Sequence, residues 1–332
     1  MNRIILIGNG FDLAHGLPTS YADFIRGYYI IQKLRLLEGE NELNDGLYSV
    51  KISNPEDRKL MEKFRWQLSN NMFRYVNNVG ETTLTEQYNT FFNDRSKYES
   101  RFFEAINKAV ETKNWVDIES EYYSWLKKIY KRDKCEYTSP VLLDNDLEVI
   151  KAYLIAYLKT IQQKHFHPEL KKECIYQTIY EPFHVNDIAY GNRKEFDEFL
   201  TARFKYLTTE NEAEIDCFLR QFGQSYLSRQ SDINLCKDSI RDQNKQDVLD
   251  VSKHIKKVKD NKGDVPDCFL FPDQILLLNF NYTSTADLYV PKGSGSEINH
   301  IHGELDNDKN PIIFGYGDEL DDDYKEIAKL ND

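Results

Sequence analysis

The stretch RIILIGNGFDLAHGLPTSYADF, residues 3–24, decides how this chain is read. Ile4, Ile5, Leu6 and Ile7 form a continuous apolar run rich in β-branched residues, the pattern of a parallel strand covered on both faces. Gly8 and Gly10 follow at once, and a helix opens behind them. Glycines at such a turn let the backbone come close to a ligand. The amides of the first helical turn then point at whatever lies above the strand end, usually a nucleotide phosphate. Leu13 stands where a dinucleotide fingerprint carries its third glycine, so G-x-G alone does not identify a cofactor.

The rest of the chain sets bounds on that reading. Its 332 residues are 40% hydrophobic with 22 Tyr and 19 Phe, enough for one large domain or two ordinary ones with a real core. Lys and Arg total 43 against 55 Asp and Glu, a formal charge of -12, which argues against nonspecific binding to nucleic acid or to an anionic membrane. The first apolar run breaks at Gly8, too early for a secretory signal, and no stretch has the length of a membrane span, so a cytoplasmic protein is expected. Cys135, Cys174, Cys217, Cys236 and Cys268 are scattered and odd in number, a pattern of reduced structural thiols rather than a disulfide framework or zinc cluster.

Thr19 or Ser20 caps a long helix, and residues 38–57, with Gly39, Gly46 and Pro55, read as a polar excursion. Helical periodicity returns over 58–76, 98–113, 115–131, 146–163, 195–207 and 210–227, while 174–188 fits either a short strand or a loop. His165 and His167 fall on a surface turn before Pro168, and the charged run 231–264 reads as an exposed helix and linker. In NWVDIESEYYSWLKKIYK, Glu119 lies within the apolar stripe of Trp115, Ile118, Tyr122 and Trp125. A carboxylate there either pairs with an Arg or a Tyr hydroxyl or borders a pocket, because burying it alone costs several kcal/mol. After Pro266 the pattern changes: QILLLNFN (274–281), EINHIHG (297–303) and PIIFG (311–315) are further strand candidates. Strands at both ends and helices between them predict an α/β core of residues 1–30 and 266–332 around a mainly helical insertion, 31–265. A parallel sheet would bring Gly8, residues 279–283 and the His302–Gly303 pair to one rim, where open α/β sheets bind ligands.

The order glycine turn, N-F-N-Y-T, H-I-H-G resembles the sirtuin-like superfamily, whose motifs surround the nicotinamide riboside of NAD. More narrowly, GNGFDLAHGLPTSYADF, WVDIE, NFNYT, HIHG and FGYGDE are similar to the bacteriophage abortive infection AbiH family over nearly the whole chain. The resemblance implies a Rossmann-like parallel sheet and an antiphage protein that binds and hydrolyses NAD or a related nucleotide. It implies His302 as general base and Asn281 as the residue that engages the ribose or orders water. Asp12 and Glu119 are the carboxylates available to stabilise positive charge on the ribose. Gly8, Asn9, Gly10, Phe11, Asn279, Tyr282, Thr283 and Gly303 would line the nucleotide. Thr283 stands where the usual motif has aspartate, and the lack of a zinc cluster favours NAD hydrolysis over deacylation, with no metal expected. AbiH sequences continue past FGYGDE into another strand and a G-H-S-type motif, so with the chain ending at Asp332 part of the sheet is expected to be absent. A phage-derived trigger and a second copy of the chain are the further partners this family implies.

Two rival readings use the same residues. His300 and His302, two apart on a strand, share a face and could hold a metal with Asp12, Glu304 or Asp318 in a phosphoester or nucleotide hydrolase. Alternatively the pocket senses a nucleotide without turning it over.

Overall fold

The computed structural model describes residues 1–75, 83–113, 118–131, 137–184, 186, 188–209, 270–291 and 295–313. Expectations for Trp115, 210–227, 231–264, FGYGDE, Asp318 and the cysteines other than Cys174 lie outside them. Along the chain run β1 (Arg3–Ile7), α1 (Asn9–Ala14), α2 (Tyr21–Glu38), β2 (Glu42–Asn44), β3 (Tyr48–Lys51), α3 (Pro55–Tyr75) and α4 (Thr83–Asn93). Then come β4 (Ser96–Tyr98), α5 (Arg101–Lys113), α6 (Ile118–Tyr130), α7 (Pro140–His165), α8 (Glu173–Tyr180) and α9 (Arg193–Thr209). The last described strands are β5 (Ile275–Asn279) and β6 (Ser296–His300), with a 3-10 helix, Ser284–Tyr289, between them. The fold is α/β, in two compact units. One comprises the described residues of Met1–Gly16 and Phe166–Ile312, the other those of Leu17–His165 and Ile313–Asp332.

The first unit is built on a parallel sheet of order β1-β5-β6. Its inward face carries Ile5, Ile7, Ile275, Leu277 and Ile298, packed on Tyr176, Ile179 and Tyr180 of α8 and on Ala286 and Tyr289 of the 3-10 helix. Arg3 fastens α8 from below: its guanidinium donates to the carbonyls of Ile179 (2.9 Å) and Glu181 (2.6 Å), a cation placed on a helix C-terminus. The expectation that β1 is covered on both faces is corrected, because Ile4 and Leu6 are 62% and 70% exposed. Among the described residues β1 is an edge strand of this sheet, and their buried cluster lies on the Ile5–Ile7 side. Residues 174–188, left between strand and loop, begin with a helix instead. Tyr176, Ile179 and Tyr180 of α8 are spaced three and four apart and all face the sheet. Residues 311–313 form no strand.

Tyr289, fully buried, ties the parts together. Its hydroxyl accepts the Lys172 backbone N–H at 2.7 Å and meets His15 Nε2 at 2.6 Å. His15 Nδ1 faces the Phe11 carbonyl at 2.6 Å, so Nδ1 carries the proton and the Tyr289 hydroxyl donates to Nε2.

In the second unit the capping box is formed by Ser20 and Asp23: Asp23 N–H donates to Ser20 Oγ at 3.1 Å and Ser20 N–H to Asp23 Oδ2 at 3.3 Å. The polar excursion is corrected by a small antiparallel sheet, β2-β3-β4. Its hairpin is signalled by Asp45-Gly46 between alternating residues, with Gly46 at φ +86°. Asp45 holds the turn against α2, accepting the backbone N–H groups of Leu47 and Tyr48, the Tyr28 hydroxyl and the Gln32 amide.

Replacing Tyr289 by Phe strands both the Lys172 N–H and His15 Nε2. Urea denaturation is expected to show a loss of about 1–3 kcal/mol, and an unchanged midpoint would refute the linking role.

Candidate functional site

The three parallel strands end in one row. Ile7 is in register with Asn279, and Asn279 with His300. The chain leaves the row in step, with Phe280 N–H donating to the Ile7 carbonyl and Ile301 N–H to the Asn279 carbonyl, each at 2.8 Å. Gly8, residues 280–283 and the His302–Gly303 pair lie in the turns just beyond that row.

Asn279 is fully buried beneath them. Its Oδ1 accepts the Asn281 N–H at 3.1 Å, which turns its Nδ2 toward the Thr283 carbonyl (3.4 Å) and His300 Nδ1 (3.1 Å). Asn281 Nδ2 donates to the Gly8 carbonyl at 3.0 Å and so pins the β5 turn to the β1 turn. Thr283 Oγ1 donates to Asp12 Oδ2 at 2.6 Å, and the Thr285 hydroxyl lies 3.3 Å behind it. The structure therefore brings together Gly8, Asp12, Asn279, Asn281 and Thr283. It uses their polar groups largely on one another.

Asp12 is 1% exposed, on the inner side of α1, and its Oδ1 has no hydrogen-bond partner among the described residues. Burial pushes its carboxyl above the ordinary value; the hydrogen bond from Thr283, weaker help from Thr285, the charge of His15, and Asn281 pull it back in part. Such burial sets Asp12 behind Thr283, whose hydroxyl it accepts.

Phe11 packs on His15 and Tyr289, while Asn9 and Gly10 are exposed at the start of α1. Gly8 has φ -115°, which any residue adopts, and among the described residues no atom lies within 4 Å of a Cβ added at Gly8 or Gly10. The fold itself does not demand glycine there, and the missing side chains keep the space over the β1 end open. Gly303 is the opposite case. Its φ is +83°, and a Cβ would come within 2.2 Å of the Pro311 carbonyl oxygen, so packing alone accounts for this glycine. Glu119 stands in the first turn of α6 in the other unit, half-buried.

The histidines divide. β6 ends at His300, so His302 lies in the following turn and the two do not share a strand face. His302 is half-exposed between Phe280 (ring centroids 5.5 Å apart) and Tyr282 (6.3 Å). His300 is buried, its Nε2 at 3.0 Å from Glu304 Oε1 and 3.4 Å from Asp287 Oδ1. Burial opposes its positive charge, yet Asp287 as hydrogen-bond partner, the charges of Asp287 and Glu304, and the Asn281 backbone hold its pKa above the ordinary histidine value.

Ligand atoms of Asp287, His300 and Glu304 lie within 4.8 Å of one another, a spacing a metal could use. The second partner of His300 opposes this. A metal on Nε2 needs Nδ1 protonated and facing an acceptor, whereas the Asn279 amide, oriented by its own partners, presents an N–H there. The trio reads as a hydrogen-bonded cluster that braces the turn after β6. Sequence reasoning passed over Asp287, Thr285 and His15, which sit in short helical turns without periodicity. His300 was visible in H-I-H, but only the end of the strand separates its role from that of His302.

Two measurements check this site. Because the folded-state pKa of Asp12 lies above the unfolded 3.8, the folded form retains a proton that the unfolded chain releases. Its carboxylate thus lowers stability progressively as pH rises through that interval. In melting curves from pH 4 to 8, Asp12→Asn should gain stability relative to wild type as pH rises; parallel profiles would count against a raised pKa. Gly303→Ala should lose about 2 kcal/mol or more from the left-handed backbone and the overlap with Pro311, and an unaltered thermal transition would contradict the geometry.

No match to this chain is found among curated proteins or among solved structures. The family model described as bacteriophage abortive infection AbiH matches residues 4–332, from the first strand through the rim motifs to the last residue, and the chain belongs to that family.

Proposed function

We propose that this protein acts in abortive infection against phage and that the rim above Ile7, Asn279 and His300 is a nucleotide site, sirtuin-like in plan, where NAD or a related nucleotide is hydrolysed. The observation that carries the reading is the half-exposed His302 held between Phe280 and Tyr282 at the C-terminal end of a parallel sheet. Open α/β sheets bind ligands at that end. The open space over Gly8 and Gly10 supports it, since a phosphate needs close backbone approach there.

In this reading His302 takes a proton from water as the oxygen attacks the ribose carbon. The nicotinamide leaves with the bonding electrons and its ring nitrogen becomes neutral. The ring faces of Phe280 and Tyr282 offer planar contacts to a base or to nicotinamide. Asp12 and Asn281 act from behind, fixing Thr283 and the β1 turn. The family name supports abortive infection, and the chemistry of the rim supports the nucleotide.

The test is incubation of the purified protein with NAD, with and without chelator, following nicotinamide and ADP-ribose. Turnover that survives chelation is expected, and His302→Ala should lower it by roughly 10²–10⁴-fold, the usual contribution of a general base, with an unchanged melting temperature. Full turnover in His302→Ala would falsify the assigned base. Turnover lost on chelation and restored by metal would favour the metallohydrolase reading, and binding without turnover would favour a sensor.

A further inference from the structure

The second unit contains a cavity of about 500 Å³, within the range of small-molecule sites. One wall is a stripe along α2, where Arg26, Tyr29, Ile30 and Lys33 recur at helical spacing. The opposite face of that helix is used for packing, with Phe24, Tyr28, Gln32 and Leu36 buried. The other wall comes from Tyr48 of β3, Phe92 of α4 and Lys97 and Tyr98 of β4. The aromatic rings are set against each other rather than loosely placed. Tyr48 stacks on Phe92 with planes 25° apart, and Tyr29 and Tyr98 each meet Tyr48 edge-on with centroids 5.3 Å apart. The Tyr29 hydroxyl lies 3.1 Å from that of Tyr98 and donates to Asn107 Oδ1 at 2.9 Å.

The charge of the lining is one-sided. Among the described residues Arg26, Lys33 and Lys97 face it against the single carboxylate of Glu111. Arg26 and Lys97 make exposed pairs with Asp23 (3.3 Å) and Glu99 (3.0 Å), the kind of pair that solvent screens and that an incoming anion can replace. Lys33 differs. Its ammonium is half-buried, donates to Asn89 Oδ1 at 2.7 Å and sits 5.0 Å from the Phe92 ring centroid, with no carboxylate paired to it among the described residues. Burial alone pulls its pKa down. A positive charge left without a counter-ion inside an aromatic cavity is a place where an anion gains more than it would at the surface.

We infer that this cavity is a binding site, separate from the rim site, for a small organic anion that carries a planar ring and is of about mononucleotide size. Lys33 meets the anionic group, Arg26 and Lys97 draw it in from the mouth, and the tyrosine and phenylalanine rings take the planar part. The described lining lies within the second unit, and the site does not depend on the activity proposed for the first.

Calorimetric titration of the full chain at low salt tests this with adenosine 5′-monophosphate, adenosine and ribose 5-phosphate. One equivalent of the nucleotide, apart from any held at the rim, should bind in a way that Lys33→Met weakens at least tenfold and Lys97→Gln weakens several-fold. Adenosine and ribose 5-phosphate should each bind at least tenfold more weakly, because each lacks one half of the recognised chemistry. A melting curve checks that Lys33→Met folds. If it does not, the exposed Lys97→Gln carries the test, and unweakened binding there overturns the proposal. So does nucleotide binding unaffected in a folded Lys33→Met, absence of binding at millimolar nucleotide, or ribose 5-phosphate binding as tightly as the nucleotide.

Discussion

The first unit depends on one amide. Asn279, buried where β5 ends, has an oxygen that accepts the N–H of Asn281 and a nitrogen shared between the Thr283 carbonyl and His300. Those contacts settle in turn which side chains beyond the row remain available. Asn281 is committed to the Gly8 carbonyl and Thr283 to Asp12. His300 is held between the amide and two carboxylates. His302, one step outside this network, keeps its imidazole partly in solvent. A hydrophobic residue of similar size at 279 would leave three polar partners, the Asn281 N–H, the Thr283 carbonyl and His300 Nδ1, without these hydrogen bonds.

The two units answer the problem of placing charge differently. Around the rim, carboxylates lie close to their donors, and Asp12 is so enclosed that burial outweighs the hydrogen bonds it receives. In the second unit a half-buried aspartate, Asp45, gathers four donors and organises a turn. Lys33, by contrast, is left facing aromatic rings without an opposite charge among the described residues. Satisfied charges of the first kind build a scaffold, and incompletely satisfied ones mark where another molecule can contribute.

Much of this was legible in the sequence. QILLLN and EINH read as strands because short apolar stretches replace the helical pattern after Pro266, and α7 reads as a helix because Ile150, Leu154, Leu158 and Ile161 recur at helical spacing. Asn279, Asn281 and Thr283 were rightly grouped with the glycine turn, since parallel strands that end in register deliver their following residues to one place. Periodicity could not reveal that Ile4 and Leu6 stay exposed, because a run of apolar residues looks the same on an edge strand with one covered face as on a central one. Nor could it tell Gly8 from Gly303: one leaves space open, while the other is required by its backbone and by Pro311. The three short strands of the second unit, three or four residues each, were too brief to stand out against their polar surroundings, although Asp45-Gly46 announced the hairpin.

The pairing of β1 with β5 also has a consequence in time. Arg3 lies opposite Ile275, so on the ribosome the first strand is made long before its partner. At usual elongation rates it waits roughly 15 to 50 s for a neighbour about 270 residues downstream. Throughout that interval Ile4, Ile5, Leu6 and Ile7 form an unpaired apolar edge. The second unit, much of whose contact is between neighbouring helices and a local hairpin, can condense meanwhile, because its loops close over shorter spans. Formation of this sheet therefore waits on a long-range strand pairing, and a cell that makes the protein in quantity has reason to shield the first strand until β5 emerges.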